Sequence, residues 1–188
     1  MAFFLQPGAP TPVPSRSFHP FVCLALDAIT VYVSESRVVA PHESLFEQFE
    51  ILRRMAGVFV TLKKGGGLRG CMGTFEAAQA NTAVEIVENA ISAGFRDPRF
   101  PPLSYEDLHD LCVSVDILTP TERIFRLDDL DPARYGVIVR QGMRRGLLLP
   151  GLDDIRSVEE QVAIARRKGG IGEQESIDLY RFEVERYH

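Results

Sequence analysis

The chain has 188 residues, 45% apolar and 25% charged, with a formal net charge of −5 and a pI near 5.4. That length is enough to bury a real core, and the acidic balance argues against a protein held on nucleic acid by phosphate contacts. Cys23, Cys71 and Cys112, widely spaced, form neither a disulfide framework nor a zinc pattern and fit a reducing cytoplasm.

The N-terminus has no cationic region of the kind a signal peptide carries, and no run approaches the roughly 20 apolar residues of a membrane span. Residues 1–17 hold Pro7, Pro10, Pro12 and Pro14 with little to bury, which predicts a flexible arm ahead of a domain over 18–188. From Phe18 to about Val33, Val22, Ala25, Leu26, Ile29 and Val33 recur at helical spacing. Cys23 on that helix reads as a core or flank residue. After the break at Pro41, Glu43 to Met55 reads as a second helix or a polar connector.

Gly57 to Leu62 is β-branched and aromatic, hence a strand. Lys63 to Gly67 turns the chain, and Leu68 to Phe75 returns as the antiparallel partner. Thr82 with Glu85 has the spacing of a capping box, opening a helix that buries Val84, Val87 and Ile91 and ends at Gly94. Asp97-Pro98-Arg99-Phe100-Pro101-Pro102 is a proline-fixed loop, followed by a short helix from Ser104. Leu111 to Leu118 alternates as a strand with Cys112 on its polar face. Gly136 to Val139 and Gly146 to Leu149 form a second hairpin. Ser157 and Glu160 cap a helix to Lys168, and Ile177 to Val184 closes as one strand. No internal repeat is visible. Hairpins mixed with helices predict an α+β fold with a largely antiparallel sheet.

The stretch Leu68-Arg69-Gly70-Cys71-Met72-Gly73-Thr74 concentrates the chemistry. Cys71 is a candidate nucleophile, and Arg69, two positions away on a strand, would share its face and favour a thiolate. Gly70 and Gly73 expose N–H groups that suit an oxyanion or carboxylate. With Thr74, Asp97 and Arg99 they make a candidate ligand-binding set. The opposing readings are a Cys71 packed small under a helix, an Arg69 paired with a carboxylate such as Asp97, and a loop that Asp97 and Arg99 only pin. None of His19, His42, His109 or His188 sits where it predicts a base. Cys71, Asp97 and a stray histidine have no recognised metal-ligand spacing. Arg166-Arg167-Lys168 reads as a complement to a helix C-terminus.

Three motifs give the chain its resemblance to the AMMECR family: Gly57 to Leu62, Leu68 to Thr74, and Asp97 to Pro102. Val113 to Leu118 and Leu148-Leu149-Pro150 resemble family segments too, and the match runs from about Cys23 to the end. The resemblance implies an α+β fold with a smaller lobe and a cleft at Leu68–Gly73. It implies no settled reaction and no particular cofactor. Family members encoded or fused with a radical-SAM protein and a Memo-type protein imply those two partners. Two roles follow for this chain. One is a ligand- or partner-binding component with no membrane or nucleic-acid partner; the other is a cysteine-dependent enzyme or redox protein using Cys71 with Arg69. The chain departs from the family at Tyr135-Gly136, at Gly151-Leu152 and in lacking tryptophan.

Overall fold

The computed structural model describes residues 18–188; the arm expected over 1–17 lies outside them. Helix α1 (Pro20–Glu35) opens with Pro20 at its first position, where a missing N–H costs nothing. The side chain of His19 caps it, Nδ1 accepting from the Phe21 N–H at 3.4 Å. The second predicted helix is shorter than its pattern: α2 (Glu43–Gln48) is followed by a separate 3-10 turn, Glu50–Arg53. Phe49 between them is extended, its ring 4.9 Å from that of Phe21. Aromatic packing there outweighs continuation of the helix.

Strands β1 (Val58–Lys64) and β2 (Gly67–Thr74) form the expected hairpin. Its two turn residues, Gly65 at φ 57° and Gly66 at φ 80°, need the left-handed region that glycine enters without strain. Helix α3 (Thr82–Phe95) starts differently from its sequence pattern. Asn81 is the cap, accepting from the Val84 N–H at 3.0 Å, while Thr82 donates to the carbonyl of Arg54. Gly94 lies inside the helix against Leu103 rather than beyond its end. Strand β3 (Leu111–Leu118) and β8 (Val184–Tyr187) complete one antiparallel sheet in the order β2-β1-β3-β8. α1 and α3 cover one face of it, against Val58, Val60, Leu62, Val113 and Val115.

A second antiparallel sheet has the order β4-β7-β5-β6: β4 (Glu122–Ile124), β5 (Gly136–Gln141), β6 (Arg144–Leu148) and β7 (Asp178–Phe182). Helix α4 (Val158–Lys168), capped by Ser157 as expected, packs on it. Between the two sheets Phe59 and Phe75 meet Ile138, Leu147, Tyr180 and Phe182. The fold is α+β, with both sheets antiparallel.

Two corrections concern the second half of the chain. The single closing strand is two strands: at Glu183 the chain leaves one sheet and enters the other, with Thr119 Oγ1 accepting the Glu183 N–H at 2.9 Å. The structure also contains a repeat of topology that periodicity does not reveal. Hairpin β1-β2, helix α3 and strand β3 build one half; hairpin β5-β6, helix α4 and strand β7 build the other in the same order. β3 then continues into β4 of the second sheet, and β7 into β8 of the first.

Candidate functional site

Period-2 alternation divides β2 between two faces. Gly70 faces α3 so closely that a Cβ there would stand 2.1 Å from the carbonyl oxygen of Ala93. The small residue that admits the helix is therefore Gly70, not Cys71. Cys71 points to the opposite face, half-buried, with the Thr61 hydroxyl 3.4 Å from its Sγ. Cross-strand register places Cys71, Thr61 and Ser114 in one row of that face and Gly73, Phe59, Asp116 and Arg186 in the next. The Phe59 ring lies on Gly73, where a Cβ would come within 2.4 Å of it.

β2 is an edge strand, and at Cys71 the proline loop finishes the edge. Asp97 Oδ2 accepts the Cys71 N–H at 2.9 Å, and Arg99 Nη2 donates to the Cys71 carbonyl at 3.2 Å. Asp97 and Arg99 are joined in turn by a two-pronged pair at 2.9 and 2.7 Å. Two side chains thus stand in for a neighbouring strand. Asp97 is only 4% exposed, and the Arg99 guanidinium holds its carboxyl well below the usual carboxylate range despite that burial. Because the Cys71 N–H points outward, alternation turns that of Gly70 inward to β1. The Gly70 amide is thus not an open anion site.

Arg69 is not paired with Asp97. Its guanidinium donates to the carbonyls of Pro101 (2.9 Å) and Pro102 (3.4 Å) and to Asp107 Oδ2 (3.2 Å). Asp107 also accepts from Lys64 Nζ at 2.6 Å and from the Ser104 N–H at 3.0 Å. Lys64 above all lowers the Asp107 pKa, with the Ser104 amide next. With its side chain 14% exposed, Arg69 ties the loop down. Thr74 faces the helix side, where its hydroxyl donates to Glu85 Oε1 at 2.5 Å. Glu85, 1% exposed, also accepts from the amides of Ala78 and Gln79 and from Asn89. That network is satisfied within the fold.

Sequence reasoning missed Lys168. It ends α4, which lies so close on β6 that a Cβ at Gly146 would be 1.9 Å from the Ala165 carbonyl oxygen. Lys168 is open to solvent, yet surrounding protein lowers its pKa; Arg99 lowers it further, and Cys71 acts in the opposite sense. Arg186, bidentate on Asp116 at 2.7 and 2.9 Å, also feels Cys71. Three cations from different parts of the chain, Arg99, Lys168 and Arg186, thus lie within electrostatic reach of Cys71. The basic run Arg166-Arg167-Lys168 carried only a hint, since its meaning depends on where α4 ends in space.

Among the described residues no histidine hydrogen-bonds Cys71: His19 caps α1, His42 caps α2, His109 lies in the 3-10 turn Tyr105–Asp110, and His188 ends the chain, its carbonyl accepting the His19 N–H. Among the described residues no group of three His, Cys, Asp or Glu side chains is placed to hold a metal ion, and no helix is long and apolar enough to cross a membrane.

Paired hairpin–helix–strand halves and a thiol on a clamped edge strand define an α+β protein of the AMMECR type. The AMMECR1 family model matches residues 22–187, and the chain belongs to that family. A protein of Thermotoga maritima is 50% identical over 171 residues, covering 90% of this chain and 97% of its own. One of Clostridium acetobutylicum is 42% identical over 89% of this chain, which spans only 36% of that longer relative. The crystal structure of an uncharacterized protein from Pyrococcus horikoshii superposes with a TM-score of 0.79 at 31% identity, covering 88% of each chain.

Proposed function

We propose that this AMMECR1-family protein is a ligand- or partner-binding component of a radical-SAM and Memo-type system, acting in the cytoplasm, with the cleft at Cys71 as its recognition surface. One observation carries the reading. The Cys71 thiol touches Thr61, and among the described residues no histidine or carboxylate side chain is bonded to the sulfur to take its proton. Asp97 and Arg69, which would complete a reactive set, are occupied in fixing the loop. Lys168, open to solvent, remains as a cation able to meet an anionic ligand or an acidic partner surface.

A second reading, a cysteine-dependent enzyme or redox protein, is favoured by a thiol that is only half-buried and by Arg99, which donates to the Cys71 carbonyl at 3.2 Å. Capture of tagged radical-SAM and Memo-type proteins by the full chain separates the two. The binding reading expects capture by the wild type and by Cys71→Ala, and loss of it with Lys168→Glu. Absence of capture, together with stoichiometric modification of Cys71 by a substrate-like electrophile, would replace it with the enzyme reading.

A further inference from the structure

The rim of the second sheet carries an arrangement that the Cys71 site does not use. Arg140 on β5 stands directly opposite Arg145 on β6 in the ladder. Like charges in that relation repel unless something stands between or beside them. Among the described residues neither is neutralised well. Arg140 donates there only to the carbonyl of Gly142 at 3.2 Å. Asp178, its partner on β7, is taken by Arg123 at 2.5 Å. Arg145 meets Glu76 at 3.5 Å, with both side chains more than half exposed, a pair that solvent and salt largely screen.

The two guanidiniums border a hollow of about 250 Å³ lined by Phe75, Glu76, Thr121, Ile138 and Tyr180. Ile138 is buried beneath it, and Phe75 and Tyr180 are half-covered. Arg145 lies 4.3 Å over the Phe75 ring, which draws its guanidinium toward one wall. A small concavity with apolar and aromatic lining and two converging cations has the make-up of a ligand site. By the repeated topology this row, Leu147-Ile138-Tyr180, is the second sheet's counterpart of Cys71-Thr61-Ser114.

We propose that the hollow between Phe75 and the β5-β6 hairpin binds a small anion, a carboxylate or phosphate, carried on a flat apolar group. The charged end is held by Arg140 and Arg145; the flat group lies on Ile138 and Tyr180 beside Phe75. Glu76, at the exposed rim, gives way to the incoming anion.

Amide chemical shifts of the full chain, titrated with phenyl phosphate, benzoate and inorganic phosphate, test this. Phenyl phosphate and benzoate should shift the amides of Phe75, Glu76 and residues 138–146, saturating together. Arg140→Gln, on an exposed side chain and expected to leave the melting temperature unchanged, should weaken both at least about tenfold. Inorganic phosphate should bind at least about threefold more weakly than phenyl phosphate, since it cannot bury a ring. Three outcomes overturn the proposal: no saturable shift, shifts indifferent to Arg140→Gln, or inorganic phosphate binding as tightly as its phenyl ester. Because the readout is local to this hollow, it stands or falls separately from the partner-capture result at Cys71.

Discussion

Asp97 holds Cys71 by its backbone, not its side chain: Oδ2 of the one accepts the N–H of the other at 2.9 Å across 26 positions of sequence. The cysteine's place on β2 therefore depends on a carboxylate that bonds its amide rather than its thiol. Asp97→Ala should cost about 2–4 kcal/mol, because it frees a strand N–H and strips Arg99 of its partner. Arg99→Gln should cost less, about 1–2 kcal/mol: that side chain is more than half exposed, and the buried Asp97 carboxylate it leaves keeps the amides of Cys71 and Arg99. Urea unfolding of the two variants checks the order; equal costs would mean that the clamp is not the main role of Asp97.

Gly70→Ala and Cys71→Ala make a paired test of which β2 residue admits the helix. The first drives a methyl into the Ala93 carbonyl and should destabilise by about 1–3 kcal/mol. The second removes only a weak thiol contact and should cost below about 1 kcal/mol. A reversal of that order in thermal melts would place Cys71, not Gly70, under α3.

Acid should loosen the proline loop. Asp97 and Asp107 both have folded pKa values below their ordinary 3.8, Asp97 through Arg99 and Asp107 through Lys64. The unfolded chain therefore binds more protons just below that value, so their stabilisation is present above it and is lost as pH falls further. Asp107→Asn should be less stable than wild type at about pH 5, with the gap narrowing by about pH 3. A gap that stays constant over that range would contradict the pairing.

A second acid-sensitive group sits at the start of α1. Burial lowers the His19 pKa below 6.5, and its Nδ1 must stay unprotonated to accept from Phe21. A His with a depressed folded value contributes stability above the unfolded value that is lost as pH falls below it. His19→Asn keeps a cap acceptor but cannot titrate, so its melting temperature should fall less than the wild type's between about pH 7 and about pH 5. Parallel curves would exclude His19 as the source.

Local chemistry made much of this architecture legible. Alternation in Leu111 to Leu118 placed Cys112 outward, the Gly65-Gly66 turn fixed the first hairpin, and Ser157 marked the start of α4. What escaped was set by distance. The Arg69–Asp107 pair joins residues 38 positions apart, and a sequence with Asp97 between them offers the nearer carboxylate as the obvious partner. Asn81 displaced Thr82 as a cap because Thr82 is drawn to a carbonyl 28 residues away. The break at Glu183 was hidden because Tyr180, Phe182 and Val184 alternate through it without a breaker. Lys168 joins the site only because α4 rests on Gly146, a relation no periodicity carries.

The crossing at Thr119 and Glu183 means that each sheet borrows its fourth strand from the other half of the chain. Neither half is therefore a module that evolution or a protease could lift out intact. A nick near the exposed Phe125 would leave two fragments clasped through β4 and β8, and each alone would expose a strand edge that only the other can cover. The two copies of one motif are bound as mutual prostheses, so gain or loss of either sheet is an event of the whole molecule.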